Sequence, residues 1–557
     1  MRRGLLLGAV LGSLPALLFS AWAAAGNPWF LDRPGLWLGL FVLPPSLLLG
    51  GLGALLDRGP AGRWKATALL PLALLLLSLR PSPGPVDVRV LVVGVDGATF
   101  DLVDRLDLPA LQGMSEDGTR AVLRSMEPMF SPLLWTTMGS GKPPEEHGVR
   151  GFRVQAQDAK VPRIWDVVEA EGHSVGVYKW LVSWPPRELD GFIVPAWLAP
   201  SPETWPMELS FVKELELAHR LKRKQVAAQR SSAELALAGI PRGLRLSTLV
   251  EVARWKWRER TERPQDEERF VALNLLRGRI DRDVFVWCLH RFEPELATFT
   301  YYGTDALGHR FWHLLGEDED PLRRAYEQAD GILAELLDEV GPETTVLVVS
   351  DHGFKALETD KLFISPLTER LRERAEASLG PTQVARLGIK LTITVEQASI
   401  EELESFLAGL VTEDEQPFYL WEPVPGSPDS LGLTLADEQL SPGDLEGGVV
   451  GGEAMSGYAS LTDRSFSGDH DPRGVLLAKG PGIGAGVTLE DAQLLDIAPT
   501  VQALMGVSPA QDLPGRVLFG SQERGPPSRD QLVERLYPDP GSRQVDEDAL
   551  RALGYLE

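Results

Sequence analysis

The sequence contains almost no cysteine. Cys288 is the only one among 557 residues, so neither an intrachain disulfide nor a metal site built from several thiolates can form. It ends the apolar run 284–288, which is typical of a buried thiol that packs as a small hydrophobic side chain. One cysteine is compatible with either side of a bacterial inner membrane, so this count leaves the compartment open.

Basic charge is scarce outside the start of the chain. The net charge is −24, and residues 1–85 carry +5, which leaves −29 for the remainder. Binding of nucleic acid requires clustered lysine and arginine side chains that neutralise phosphates. The composition therefore argues against nucleic-acid binding through a general basic surface.

Long apolar runs are confined to the first 85 residues. Residues 4–25 and 35–56 are each long enough to span a bilayer, and residues 66–79 form a shorter third run. The basic residues place the amino terminus in the cytoplasm, so three spans put the chain after about residue 85 outside it. Two alternatives stay open: a third run that is only a buried helix leaves the catalytic part in the cytoplasm, and a signal peptide is cleaved near residues 21–25.

From these runs we expect residues 1–85 to form a membrane anchor of two to three transmembrane helices. The predicted location is the cell inner membrane, with the catalytic domain extracytoplasmic.

The rest of the chain alternates strand and helix patterns, which predicts an α/β fold with a mostly parallel, doubly wound sheet. A helix is predicted over 102–113. The predicted strands cover residues 88–95, 120–125, 174–179, 296–302, 345–350 and 474–478.

Two insertions divide this α/β core. Residues 205–283 are rich in Lys, Arg, Glu and Leu and are predicted to be a helical insertion, and residues 362–457 are predicted to cap the site. Within the first, the tryptophans of segment 254–260 suit either a membrane surface or packing on the core. The catalytic core then has three parts, 86–204, 284–361 and 458–522, followed by a C-terminal tail, 523–557.

Several short segments carry side chains that suit a two-metal hydrolytic site. Asp96 follows the buried strand 88–95, at the edge where open α/β sheets place their chemistry. Each candidate also fits an ordinary role, since Asp305 and His309 form an i,i+4 pair and Ser131 suits a helix N-cap. Their joint occurrence favours a metal site. The candidates are Asp96, Ser131, Asp305, His309, Asp351, His352 and His470.

With these residues in this order, the sequence resembles the alkaline phosphatase superfamily, in particular its type I phosphodiesterase/nucleotide pyrophosphatase branch. The similarity covers about residues 88–200, 295–355 and 465–520 and leaves both insertions out. The resemblance implies two divalent metal ions, usually Zn²⁺, and the same ligand types are compatible with Mn²⁺. It implies that one ion is held by Asp305, His309 and His470, and the other by Asp96, Asp351, His352 and the oxygen of Ser131.

The resemblance also implies a reaction mechanism, and it implies which histidines are not metal ligands. Ser131 would attack phosphorus once coordination has lowered the pKa of its hydroxyl, and a covalent phospho-enzyme would then pass its group to water or to an acceptor alcohol. The histidine that follows the nucleophile segment is not a ligand in that family. His147 is therefore expected to be structural, as are His173, His219, His290 and His313.

Two departures from the family pattern limit the classes of substrate that we expect. The family usually has an asparagine where this chain has Phe152, which puts nucleotide substrates in doubt. Backbone N–H groups of residues 133–135, or the hydroxyl of Thr136, would then contact the phosphoryl oxygen. The sulfatase branch requires Pro and Arg where Leu133 and Trp135 stand, which argues against sulfate esters.

The sequence therefore predicts a membrane-anchored, two-metal phosphoesterase, more specifically a phosphodiesterase. One alternative is a phosphoglycerol- or phosphoethanolamine-type transferase acting on lipid or glycan. Another is a non-catalytic member that only binds a ligand, against which the complete set of candidate ligands argues. The expected partners are a phosphate-ester substrate and the membrane. In the transferase alternative the substrate is linked to a lipid or a glycan. The natural substrate and the oligomeric state stay open.

Overall fold

The computed structural model describes residues 84–537, apart from 153, 222–229, 318–319, 358–363, 388–389, 425–428, 437–441 and 462–466. The three apolar runs assigned to the membrane anchor lie outside the described residues, so the anchor stays a prediction. Among the helices of the described part, none is both long and apolar enough to cross a membrane.

The described chain contains eighteen strands. They are β1 (Val90–Val95), β2 (Thr119–Arg124), β3 (Val175–Tyr178), β4 (Gly191–Val194), β5 (Leu296–Tyr301), β6 (Thr345–Val349), β7 (Gly353–Ala356), β8 (Ile364–Pro366), β9 (Thr382–Leu387), β10 (Lys390–Val395), β11 (Tyr419–Pro423), β12 (Ser430–Leu435), β13 (Val449–Val450), β14 (Glu453–Ala454), β15 (Ala459–Leu461), β16 (Gly468–Asp471), β17 (Arg473–Lys479) and β18 (Val487–Gln493).

The described chain also contains sixteen α-helices. They are α1 (Phe100–Val103), α2 (Pro109–Glu116), α3 (Ser131–Ser140), α4 (Pro144–His147), α5 (Ile164–Ala170), α6 (Ser210–Leu221), α7 (Ser232–Gly239), α8 (Leu246–Thr261), α9 (Asp266–Phe292), α10 (Gly303–Phe311), α11 (Pro321–Glu339), α12 (Thr368–Leu379), α13 (Ile400–Ala408), α14 (Pro442–Gly447), α15 (Ile497–Leu504) and α16 (Gln531–Leu536).

An eight-stranded sheet forms the centre of the molecule, in the order β18-β2-β17-β6-β1-β5-β3-β4. All of its pairings are parallel except those of β17, which runs antiparallel to both β2 and β6. Every residue of β1 is buried, as expected for a central strand covered on both faces. The predicted mostly parallel α/β sheet is therefore confirmed.

Helices cover both faces of this sheet and enclose two apolar cores. Side chains of α2, α9 and α11 pack in one core, and side chains of α3, α5 and α15 pack in the other. This is the arrangement of a doubly wound sheet. The helix predicted over 102–113 is divided into α1 and α2, because Pro109 begins a new helix and disfavours helical geometry in the residue before it.

The segment predicted as a helical insertion contains α6, α7, α8 and most of α9. Helix α9 runs beyond residue 283, and its last turns enter the first core. The two tryptophans of segment 254–260 have different surroundings, since Trp255 is 7% exposed and Trp257 is 71% exposed. The segment thus places one indole in the protein interior and one on the surface.

The second predicted insertion folds around a core of its own. Strands β9 to β12 form a four-stranded antiparallel sheet in the order β11-β12-β10-β9. Leu391 and Leu431 from this sheet pack with Leu371 of α12 and Leu403 of α13. Its role as a cap over the site stays a prediction.

Candidate active site

Three neighbouring parallel strands bring the first candidates to one edge of the sheet. Strand β1 pairs with β5 on one side and with β6 on the other, so their carboxyl ends lie side by side. Asp96 directly follows β1, Asp351 and His352 follow β6, and Asp305 lies in the first turn of α10, directly after β5. His309 lies one turn further along α10. These five side chains converge because the strands share direction and register.

His470 reaches the same place by a different route. It lies on β16, which pairs antiparallel with β7, and it stands opposite Phe354. Its imidazole stacks on that of His352, with ring centroids 3.6 Å apart. A short two-stranded ribbon therefore carries the last candidate ligand to the sheet edge.

The carboxylate of Asp305 lies between two groups of side chains. Its Oδ1 atom is 3.3 Å from His309 Nε2, 3.4 Å from His470 Nε2 and 3.9 Å from His352 Nε2. On the far side, His352 Nε2 is 3.5 Å from Asp96 Oδ1 and 3.6 Å from an oxygen of Asp351. Asp305, His309 and His470 thus form one group, and Asp96, Asp305 and His352 form a second.

The three histidines are held in the same tautomer by the same kind of contact. In each, Nδ1–H donates to a backbone carbonyl, so the lone pair of the neutral ring is on Nε2 and faces the cluster. A histidine that binds a metal usually has its second nitrogen fixed in this way. The acceptors are the carbonyl oxygens of Gly468 for His309, at 3.3 Å, Gly353 for His352, at 2.9 Å, and Met129 for His470, at 3.0 Å.

Several polar atoms of the cluster are buried without a hydrogen bond to any described residue. They are Asp96 Oδ1, Asp305 Oδ1, both carboxylate oxygens of Asp351, and His352 Nε2. Burial of carboxylates without partners is costly, and a bound divalent cation removes that cost. The donor set of aspartates and imidazoles therefore fits two divalent cations.

The pKa shifts of the clustered carboxylates also favour bound cations. Burial raises the pKa of Asp96 well above its usual range, and the neighbouring carboxylates of Asp351 and Asp305 raise it further. Burial and then the charge of Asp305 raise the pKa of Asp351 to about 7. Cation binding must therefore displace protons from the cluster.

The histidines and Asp305 respond to one another. Burial opposes ionisation of Asp305, but His309 and His470 outweigh it and hold the pKa of Asp305 well below its usual range. For His470 burial likewise opposes charge, but the nearby Asp305 carboxylate outweighs it and raises the pKa of His470. Burial, reinforced by His470, lowers the pKa of His352 well below its usual range.

Ser131 is the first residue of α3 and is 8% exposed. Phe130 occupies the N-cap position, so the alternative that Ser131 is only a helix N-cap is wrong. The start of α3 is fixed against the cluster by two contacts: Met129 accepts from His470, and the Trp135 indole N–H donates to Asp96 Oδ2 at 3.0 Å. These contacts bring the start of α3, with Ser131, to the side of the cluster.

Trp135 is a site residue that sequence reasoning did not identify as such. It stands four residues after Ser131, and side chains at this spacing lie on the same face of a helix. The spacing from the candidate nucleophile was thus the available signal, but nothing local to Trp135 indicates a partner 39 residues earlier in the chain.

Two donors proposed for the phosphoryl oxygen have other partners. The hydroxyl of Thr136 donates to the carbonyl of Pro132 at 2.7 Å, and the N–H of Leu134 donates to the carbonyl of Phe130 at 3.0 Å. The expectation was therefore wrong for both groups. Of the N–H groups in the first turn of α3, that of Leu133 is the one that fits this role.

Phe152 stands where the family asparagine was expected, and it belongs to an aromatic cluster next to Ser131. Its ring is 6.0 Å from that of Phe130 and 6.2 Å from that of Trp197, centroid to centroid. Trp197 in turn contacts Tyr302, which directly precedes α10. Through Phe130, which directly precedes Ser131, this aromatic cluster adjoins the candidate nucleophile along the chain.

The histidines expected to be structural have partners elsewhere. His147 accepts from the N–H of Val149 at Nδ1 and donates from Nε2 to the hydroxyl of Thr137. Burial, with the nearby charge of Arg150, lowers the pKa of His147 to about 4, so the ring is neutral. The side chain of His219 lies outside the described residues. The remaining pairs are His173 with Glu295, His290 with Glu339 and His313 with Ser467.

Comparison with known proteins gives one family match. The model of the type I phosphodiesterase/nucleotide pyrophosphatase family matches residues 90–421. That range contains six of the seven candidates and ends before His470, whose place in the cluster follows from the β16–β7 pairing. No curated protein sequence shows significant similarity.

Among solved structures, two of murine ectonucleotide pyrophosphatase/phosphodiesterase 5 are similar to this chain. An inactive variant in complex with AMP has 13% identity and a TM-score of 0.43, covering 81% of this chain and 99% of that chain. A second structure of the murine protein has 14% identity and a TM-score of 0.42, covering 80% and 99%.

Proposed function

Because the chain belongs to the type I phosphodiesterase/nucleotide pyrophosphatase family, and is thus a metal-dependent hydrolase of phosphoric esters, we propose a membrane-anchored two-metal phosphodiesterase with Ser131 as nucleophile. The observation that carries this proposal is the convergence of three imidazole Nε2 atoms and three carboxylates, of which those of Asp96 and Asp351 are buried and that of Asp305 is partly buried. Four of the carboxylate oxygens and His352 Nε2 form no hydrogen bond with a described residue, whereas the buried polar groups of a purely structural cluster are almost always hydrogen-bonded.

The ligand assignment is the one that the family resemblance implies, and its first set coincides with one of the two groups around Asp305. Asp305, His309 and His470 would hold one cation, and Asp96, Asp351, His352 and the oxygen of Ser131 the other. When bound, the two cations supply Lewis-acid stabilisation of charge on the phosphoryl and leaving oxygens and lower the pKa of the serine hydroxyl.

Residues of this chain carry out the attack on phosphorus and position the reacting groups. Ser131 Oγ attacks phosphorus in line with the leaving oxygen, so a new O–P bond forms at the serine as the bond to the leaving group breaks. Water then cleaves the phospho-serine ester and returns the hydroxyl. The Leu133 N–H, at the positive end of α3, donates to the phosphoryl oxygen on which charge develops. Trp135 keeps Asp96 in place by its hydrogen bond to Oδ2.

The aromatic cluster supports a diester rather than a monoester. Phe130, Phe152 and Trp197 offer apolar contact area beside Ser131. A diester presents a second organic group to such a surface, whereas a monoester presents two negative charges, which an apolar wall does not stabilise. Substrates whose second ester group is aromatic or aliphatic fit this arrangement.

The test is an activity assay on the full chain in detergent, with bis(p-nitrophenyl) phosphate and p-nitrophenyl phosphate as diester and monoester. We expect faster diester hydrolysis, dependence on Zn²⁺ or Mn²⁺, and loss of activity with chelator. Ser131→Ala and Asp351→Asn should abolish it, while Ser521→Ala, an exposed serine outside the site, should retain it. Activity that survives Ser131→Ala contradicts the covalent mechanism.

The transferase alternative and the topology are separate proposals with separate measurements. A transferase would move labelled phosphoryl groups from a phospholipid to an acceptor alcohol faster than to water, because the acceptor intercepts the phospho-serine. We also propose an inner-membrane location with the catalytic domain extracytoplasmic. A reporter enzyme fused after Glu557 should then be active outside the cytoplasm, and a cytoplasmic reporter overturns the three-span topology.

A further inference from the structure

A cavity lies in the helical segment, among α6, α8 and α9. Its enclosed volume is about 90 Å³, several times the minimum that holds one water molecule, and it continues into an open mouth. Its walls are mostly aliphatic and come from all three helices. They include Val212, Leu215, Val252, Leu273, Leu276 and Ile280.

The polar end of the cavity is a buried ion-pair cluster of two lysines and two carboxylates, since Lys213 lies 2.9 Å from Glu216. Lys179, which directly follows β3, is 2.6 Å from Glu216 and 3.5 Å from Asp281. All three side chains are buried and line the cavity. The hydroxyl of Tyr178 donates to Asp281 at 3.1 Å. This end therefore closes the cavity and leaves the aliphatic walls as its main contact area.

Two other polar groups line the wall. Trp255 is 7% exposed, and its indole N–H forms no hydrogen bond with a described residue. Arg277 is only partly exposed, and its charge acts on Asp281, one turn further along α9, without a hydrogen bond or a close ion pair between the two side chains. An N–H donor and a guanidinium group at one apolar cavity are complementary to an acid group on an aliphatic chain.

We propose that this cavity binds a single-chain anionic amphiphile, with its alkyl chain between α6, α8 and α9. Its acid group contacts Arg277, and one of its oxygens accepts from the Trp255 indole. Carboxylate and phosphate head groups share this chemistry. The site is distinct from the cation cluster, and the proposal concerns binding alone, so it does not depend on the proposed reaction.

The wall of the cavity is nevertheless connected to the edge of the sheet that carries the cation cluster. The backbone carbonyl of Lys179 accepts from the hydroxyl of Tyr302 at 2.6 Å. Tyr302 contacts Trp135, the residue that holds Asp96. One tyrosine side chain thus connects the wall of the amphiphile site to the cation cluster.

The experiment uses the full chain in lipid nanodiscs and a diazirine-tagged dodecanoic acid as photoreactive probe. After irradiation, peptide mass spectrometry should locate the label in α6, α8 and α9. Unlabelled carboxylates from octanoate to dodecanoate should compete, with affinity rising about fourfold for each added methylene group. Dodecanoate and dodecyl phosphate as competitors distinguish the two acid groups, and both should compete better than dodecanol.

Variants separate this site from non-specific partitioning into the bilayer. Arg277→Gln should weaken competition by dodecanoate about tenfold, and Trp255→Phe, which keeps the ring but removes the N–H, about fivefold. Leu276→Trp fills the cavity and should abolish labelling. The matched controls are Arg279→Gln, on the same helix but paired with Glu251, and Trp257→Phe, which is exposed; both should label like the parent chain.

Three outcomes overturn the proposal. One is labelling that is absent from α6, α8 and α9, which would also result if another segment of this chain already fills the cavity. Another is labelling that is unchanged in both Arg277→Gln and Leu276→Trp. The third is equal competition by dodecanol and dodecanoate, which would show that no acid group is recognised.

Discussion

Removal of the divalent cations should destabilise the fold, and by more at high pH than at low pH. Without cations, Asp351 is buried and has a pKa of about 7, against its ordinary 3.8. The raised pKa favours the folded state below about pH 4, and this contribution is lost as the pH rises through 7. A difference of about three pKa units corresponds to about 4 kcal/mol. Asp96, whose pKa is also raised, acts in the same direction.

Bound cations keep the carboxylates ionised and paired, so the loaded enzyme lacks this pH dependence. The gap in Tm between loaded and chelated protein should therefore widen between pH 5 and pH 8. For a cooperative unit of roughly 450 residues, 4 kcal/mol corresponds to about 4 °C.

The assay is differential scanning calorimetry of the full chain with and without chelator at four pH values. Asp351→Asn serves as the control, because an amide cannot titrate and the chelated variant should vary less with pH than the chelated parent. A gap that is constant, or that narrows as the pH rises, would refute the reasoning about the buried carboxylates.

Four further predictions follow from individual contacts. Ser131→Ala should lower kcat about a thousandfold or more without changing Tm by more than a degree or two, and retained turnover would contradict its role as nucleophile. Trp135→Phe leaves Asp96 without its indole donor and should weaken cation affinity about tenfold, with activity recovered at higher Zn²⁺. Arg163→Met removes one of the two arginines that pair with the buried Asp166, which keeps Arg187 at 3.1 Å, and should cost about 2–3 kcal/mol in the free energy of unfolding, while activity per folded molecule is unchanged. Phe152→Asn restores the family residue and should raise the rate on a dinucleotide relative to bis(p-nitrophenyl) phosphate; an unchanged ratio argues against a role for this position in substrate choice.

The central sheet was predictable because its strands have strong local patterns. The continuous apolar run at β1 is typical of a central strand that is buried on both faces of the sheet. Strand β18 was not predicted, because it lies at the edge of the sheet and most of its side chains are exposed and polar. Part of the sheet of the second insertion was missed for a related reason, since the later half of that segment is acidic and rich in Pro and Gly, which conceals the short strands β11 and β12.

The site was predictable in its residues but not in its contacts. The order of Asp96, Ser131, Asp305, Asp351 and the histidines pointed to a family, and the family match covers six of the seven candidates. The hydrogen bond from Trp135 to Asp96 could not be read from the sequence, because it depends on how α3 packs against β1. The Thr136 alternative failed for a local reason, namely that a threonine inside a helix bonds readily to the carbonyl four residues earlier.

The position of β17 has a consequence for the order in which the chain folds. Strands β1 and β3 to β6 can assemble once β6 has been synthesised, but β2 joins the sheet only through β17 and β18. Until residues 473–479 emerge, the edges of β2 and β6 lack their neighbour, and such edges are prone to wrong pairing. His470 lies three residues before β17, so the last candidate ligand arrives with the strand that closes the gap. A chain interrupted before this point should therefore be both inactive and dependent on chaperones, and catalytic competence should appear only after synthesis has passed β17.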